Sequence, residues 1–238
     1  MSVFLPINDH SINKNLALSR SMRSWIILKS FNMKVFIIKI IIFLIGIFIV
    51  QLGVGLFIQS NVGLDSYTIL MEGIGSLINI TVGQANILIM TGIFIGMLCF
   101  TREYIKLGTF LATFITGIFL DFINSFLSNL GIDTMPYGAR LLVLFLSCSI
   151  IAIGFAILNA PKLSVSPLDQ LPLIIVDKTK FNYGQVRILQ DIIYITTGFL
   201  LGGTLGLGTV ISLILIGPFI QITLKYIGGP LEQKINSL

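Results

Sequence analysis

The stretch LDSYTILMEGIGSLINI, Leu64 to Ile80, decides how this chain threads. It is apolar enough to enter a bilayer, yet Gly73 and Gly75 within it and Gly63 just before it fit a broken segment better than a regular helix. A full crossing takes about 20 mostly apolar residues. If this stretch crossed, Arg102 and Lys106 would fall outside and break the bias of lysine and arginine toward the cytoplasm. It therefore reads as a re-entrant or interfacial segment. So does Leu163 to Val176, which Pro167 and Pro172 interrupt.

Six long apolar runs remain: Ile40–Ile58, Asn86–Phe100 with a start near Thr81, Leu107–Leu127, Leu141–Leu158, the short Ile188–Leu201, and Leu207–Leu224. Composition agrees. The chain is 55% hydrophobic and 11% charged, with mean hydropathy +0.99, whereas soluble domains carry about 25% charged residues. Its 238 residues allow one membrane domain and no second soluble one. A net charge of +5 suggests nucleic acid until its placement is considered. With the N-terminus inside, the cytoplasmic side collects Lys14, Arg20, Arg23, Lys29, Lys34, Lys39, Arg102, Lys106, Lys162, Lys178, Lys180, Arg187, Lys225 and Lys234. Only Arg140 of the 15 basic residues is left outside. The expectation is a multi-pass protein of the cytoplasmic membrane, both termini inside, surrounded by lipid and without a nucleic-acid partner.

The two halves resemble each other. Gly53 pairs with Gly154, and Gly83–Gln84 with Gly184–Gln185, at an offset of 101. Leu107–Gly108–Thr109 pairs with Leu207–Gly208–Thr209, and Gly117 with Gly217, at an offset of 100. Three spans per half is an odd number, so the second copy sits inverted. The predicted fold is an all-α membrane protein of six transmembrane helices in two inverted three-helix repeats. Each repeat has a broken or re-entrant segment after its first helix. The domains are a basic extension at 1–32 (an interfacial arm or a disordered tail), a first repeat at 33–131 and a second at 132–238. Inverted repeats are typical of transporters, whose sites lie where broken segments meet. A duplication that yields only a stable bundle is the plainer alternative.

Leu52 to Leu70 (LGVGLFIQSNVGLDSYTIL), the two Gly–Gln pairs, Ser166–Asp169 (SPLD) and Leu205–Gln221 (LGLGTVISLILIGPFIQ) resemble the YczE/YyaS/YitT family of bacterial integral membrane proteins. The resemblance runs from about Met33 to Tyr226 and implies a fold and a compartment rather than a substrate. Family members carry a Ser-Pro-aromatic-Asp motif after the first span. Here that place reads Asp65-Ser66-Tyr67-Thr68, so Thr68 stands where the acid is expected, while the second copy keeps Asp169.

Polar residues inside apolar runs are the site candidates, because a charge at a helix centre costs at least about 2.5 kcal/mol. Asp121 lies within the third run, with Gln221 as its counterpart. It fits either a cation or proton site, or a solvated helix end. Gln84 and Gln185 fit cavity lining and helix capping equally. Asp191, four residues after Arg187, reads as an ion pair. Asp65, Thr68, Ser166 and Asp169 complete the pathway candidates. Glycines at 46, 53, 55, 92, 96, 198 and 202 fit close helix packing, and Cys99 and Cys148 fit buried core. No catalytic motif or metal-ligand spacing is present, and the one histidine is His10, so neither enzyme, cofactor nor metal is expected. The preferred function is a small-solute transporter or channel component with a pathway between the repeats. The competing one is an accessory protein that stabilises or recruits another membrane complex.

Overall fold

The computed structural model describes residues 33–163 and 166–237. The extension at 1–32 lies outside the described residues. The chain divides after Ile38 into two units, the first described only through the opening turns of α1. All regular structure among the described residues is helical. The helices are α1 (Met33–Ser60), α2 (Ser66–Ile78), α3 (Val82–Phe100), α4 (Leu107–Leu127), α5 (Tyr137–Asn159), α6 (Pro167–Lys178), α7 (Tyr183–Leu200) and α8 (Leu207–Thr223). A π turn, Leu224–Gly228, joins α8 to α9 (Gly229–Asn236).

Side-chain caps set four of the starts. Asp65 accepts from the Thr68 N–H at α2, and Ser166 accepts from the Asp169 N–H at α6, where Pro167 occupies the first helical position. Thr81 with Gln84 and Asn182 with Gln185 form reciprocal capping boxes at α3 and α7. Ser66 and Pro167, and Val82 and Tyr183, are helix starts 101 residues apart; Leu107 and Leu207 are 100 apart.

The segments expected to be broken are instead regular but short. At 13 and 12 residues, α2 and α6 reach about 20 Å, against roughly 30 Å of hydrocarbon. Pro172 is accommodated inside α6. Among the described residues, five helices are long and apolar enough to cross a membrane: α1, α3, α4 with its following turn, α5, and the continuous α8–α9. The sixth expected span, α7, has 18 residues but carries Gln185, Arg187, Gln190 and Asp191, and it does not join that group.

The bundle is arranged inside out relative to a soluble protein. On α4, Phe110, Phe114, Ile118, Phe122 and Phe126 form an exposed stripe, with Phe126 66% exposed. The opposite face buries Gly108, Thr109, Ala112, Thr113, Thr116 and Gly117. Small residues let backbones meet where lipid offers no hydrophobic drive for association. Gly117 faces the Gly83 carbonyl across α3 and α4, and Gly73 faces Gly198 across α2 and α7. Between α1 and α5, a Cβ on Gly53 would lie 2.6 Å from Ile151, and one on Gly154 would lie 2.6 Å from the Val50 backbone. That is one contact repeated with the halves exchanged. Gly92 and Gly96 depart from the packing expectation, since nothing lies within 4 Å of the Cβ position at either. Cys148 is buried as expected, whereas Cys99 is exposed on α3.

Gly117→Val should destabilise by about 1–3 kcal/mol through overpacking against α3. Gly92→Ala should be neutral or slightly stabilising. Thermal unfolding of the two variants in detergent checks the contrast.

Candidate functional site

The capped ends of α2 and α6 both meet α7, and the polar side chains of all three form one cluster. Ser66, the first residue of α2, donates from its hydroxyl to Asp191 Oδ1 at 2.6 Å. Ser166, capping α6, donates to Asp169 Oδ2 at 2.8 Å. Arg187 stands between the two acids, its Nη1 3.9 Å from Asp169 Oδ1 and its Nε 3.8 Å from Asp191 Oδ2. The positive ends of the two short helices favour these carboxylates.

Proline chemistry ties α6 to α7. Pro172 has no N–H, so the carbonyl four residues back, Leu168, lacks its helical donor. The Gln190 side-chain amide donates to that carbonyl at 3.5 Å and to the Tyr194 hydroxyl at 2.7 Å. The Tyr194 ring lies 5.8 Å from that of Tyr67. Tyr67 donates to Asn86 Oδ1 at 2.7 Å, and Asn86 donates onward to Thr116 Oγ1 at 3.0 Å. Gln170 reaches Thr109 on α4 at 2.8 Å. The polar network thus runs from α7 through α2 and α3 to α4, with a branch from α6. Two of its acceptors, Asp65 Oδ1 and Gln190 Oε1, are buried without a hydrogen-bond partner.

Of the residues expected from the sequence, Asp65 caps α2 with Thr68 in its first turn, Ser166 caps α6, and Asp169 joins Arg187. Thr68 is fully buried, and its backbone N–H binds Asp65 Oδ2 at 3.3 Å. Gln84 and Gln185 are exposed and close their capping boxes, each accepting a backbone N–H at 3.1 Å. Asp121 fastens α4 to the start of α3, accepting from the Thr81 hydroxyl at 2.5 Å and the Gly83 N–H at 2.9 Å. Gln221 is exposed on α8. The Arg187–Asp191 pair is present as expected, but Asp191 also receives Ser66.

Sequence reasoning missed Arg187, Gln190, Asp191 and Tyr194 as site residues. With span five begun at Ile188, Asp191 looked terminal, whereas α7 begins at Tyr183 and Asp191 lies halfway along it. The signal was available. Asn182 and Gln185 spell a capping box, and 187, 190, 191 and 194 follow the one-face spacing of a helix.

A described fold made of helices, with aromatic stripes outside and hydroxyl groups inside, defines a multi-pass integral membrane protein of the lipid bilayer. Residues 37–225 match the family described as "Family of unknown function (DUF6198)", and the chain belongs to it, as the resemblance to YczE and YyaS implied. The "Uncharacterized membrane protein YczE" of Bacillus subtilis (strain 168) is 28% identical over 180 residues, covering 75% of this chain and 82% of the relative. The "Uncharacterized protein YyaS" of the same organism is 30% identical over 188 residues, covering 75% and 88%. A Haemophilus influenzae "Uncharacterized protein" is 28% identical over 188 residues, covering 78% and 83%. No solved structure matches the chain.

Arg187→Met removes the cation shared by Asp169 and Asp191. Because the three side chains are 19–39% exposed, the cost falls to about 1–3 kcal/mol, below that of a fully buried pair. Adding Asp191→Asn should recover part of it. Breaking the exposed Lys162–Glu232 pair with Glu232→Gln should cost less than about 1 kcal/mol. Thermal unfolding of the variants checks this order.

Proposed function

We propose that the chain is a small-solute transporter or channel component of the bacterial cytoplasmic membrane, without catalytic activity, and that its pathway runs between two inverted three-helix repeats. In this reading α7 is the sixth span, both termini are cytoplasmic, and α2 and α6 are re-entrant helices entering from opposite sides. Charge in α7 is tolerated because Arg187, Gln190 and Asp191 face protein partners instead of lipid.

The observation that carries the proposal is the meeting of the two short helices at the charged cluster halfway along α7. Helix ends converging on polar groups within a bundle are the usual form of a transporter site. Clefts of unequal size add support. A cleft of about 680 Å³ opens at one end, lined by Lys106, Ala160, Lys162, Gln170, Leu224 and Glu232 among others. The repeat counterparts of Ala160 and Leu224 are Gln59 and Asn124, and these are joined by a 2.7 Å hydrogen bond. Nearby, Glu72 accepts from the Thr204 N–H, and Gly63 packs on the Gly206 backbone. Glu72 itself lines a smaller cleft of about 430 Å³ with Gly75, Ser76, Asn79 and Thr81, so the two halves carry clefts of unequal size.

Reporter fusions test the threading. A periplasm-dependent enzyme should be active when fused at the 131–136 turn and at 201–206, and inactive at 179–182; inactivity at 201–206 would remove α7 as a span. Thermal stability in detergent against a broad panel of ions and metabolites tests the solute site. A solute at one hundred times its Kd stabilises the native state by about 2.7 kcal/mol, and Asp169→Ala should abolish that shift. Silence of a well-folded wild type across the panel would instead favour an accessory role beside another membrane complex.

A further inference from the structure

The cleft of about 680 Å³ lies where long helices end. Lys106, just before α4, and Asn159, the last residue of α5, both line it. α4 and α5 are each long and apolar enough to cross a membrane, so the cleft stands at the depth of the lipid headgroups. With both termini cytoplasmic, it faces the leaflet that carries anionic lipid.

Backbone packing sets the two lysines of the lining on neighbouring stretches of chain. A Cβ on Gly108 would lie 3.0 Å from the Leu163 carbonyl, so residues 106–108 run beside 162–163. Lys162 pairs with Glu232 of α9, the one carboxylate among the described lining residues. Lys106 has no ion pair among the described residues. The lining therefore carries one cation more than its own anion balances. Its remaining walls are largely apolar, with Ala156, Ala160, Leu173 and Leu224. Gln170 ties α6 to α4 through Thr109 and so fixes those walls.

An unbalanced cation among apolar walls at headgroup depth favours an anion joined to an apolar body. Lysine serves phosphate well as a point charge. A free phosphate would use that charge and leave the apolar walls unfilled. Basic pockets between spanning helices are known receptors for anionic headgroups.

We propose that this cleft binds an anionic phospholipid. Lys106 holds the phosphate, Lys162 joins it on release from Glu232, and the start of an acyl chain lies along Ala156, Ala160, Leu173 and Leu224. The site needs α4 and α5 to span the membrane and needs no transport.

The test uses full-length protein in a neutral detergent at constant ionic strength. Melting temperature is followed against short-chain phosphatidylglycerol, phosphatidylcholine of the same chain length, glycerol phosphate and inorganic phosphate. Phosphatidylglycerol should stabilise the wild type most. Its concentration for half-maximal shift should rise at least fivefold in Lys106→Gln and return within twofold of wild type in Lys106→Arg. It should fall at least twofold in Glu232→Gln, which releases Lys162, and stay unchanged in Lys180→Gln, outside the cleft. Equal stabilisation by phosphatidylcholine overturns the anionic headgroup. Equal stabilisation by glycerol phosphate or inorganic phosphate assigns the cleft to a soluble anion and overturns the lipid. A loss in Lys180→Gln as large as that in Lys106→Gln reduces the effect to overall charge and overturns the site, as does the absence of any shift. If Lys106→Gln does not fold, acetylation of the wild type by acetic anhydride, read by peptide mass spectrometry, decides. Phosphatidylglycerol should protect Lys106 at least threefold relative to Lys180, and equal labelling overturns the proposal.

Discussion

Arg187 between Asp169 and Asp191 is the contact on which the rest of the interior depends. Two short helices end inside the bundle, and a helix end presents backbone groups that need partners or charge. α7 supplies both. Its guanidinium balances the acid of α6, its acid receives the first hydroxyl of α2, and its glutamine amide serves the carbonyl that Pro172 leaves without a donor. Removing one member of such a cluster strands the others in a poorly solvated place, so the cluster acts as a unit. Its cost is borne by α7, which is too polar to be counted with the other long apolar helices.

Around that cluster, cohesion comes from close backbone approach and from hydroxyl groups turned inward. Lipid is as apolar as leucine, so burying leucine between helices gains little, and packing and hydrogen bonds decide. The Gly83–Gly117 approach brings α3 and α4 together, and Asp121 locks their ends through Thr81 and the Gly83 N–H. Thr223 reaches across from α8 to the Ala152 carbonyl at 2.8 Å. Thr113 and Thr116 bond back to carbonyls of their own helix and so satisfy hydroxyl groups that have no water. The phenylalanines of α4 meanwhile turn outward, where they are good lipid neighbours.

The halves match in helix starts and in the exchanged Gly53 and Gly154 contacts, but not in every packing detail. Gly83 and Gly117 touch, whereas their counterparts differ: Gly217 has open space, and Gly184 meets only the nearby Asn182 side chain. Gln59 and Asn124 are bonded where Ala160 and Leu224 line a cleft. The matching segments of the two halves therefore pack unequally.

Much was legible in the linear chain. Apolar run length identified most of the long helices, and the glycines and prolines of 63–80 and 163–176 set these stretches apart from the long runs; each folds as a short helix. The offset near 100 aligned the halves, and Asp65, Thr68, Ser166 and Asp169 stood out because polar groups in apolar surroundings need a reason. These features are local, carried by composition and spacing alone. Which glutamines cap and which line an interior was not local, since a Gly–Gln pair reads alike in either setting until the neighbouring Thr81 or Asn182 closes the capping box. Nor did run length reveal that Asp191 sits at the middle of α7, because polar residues shorten an apolar run without ending a helix. Only the tertiary structure brought Ser66, Asp169, Arg187 and Asp191 together, residues up to 125 positions apart whose partnership depends on where two short helices end.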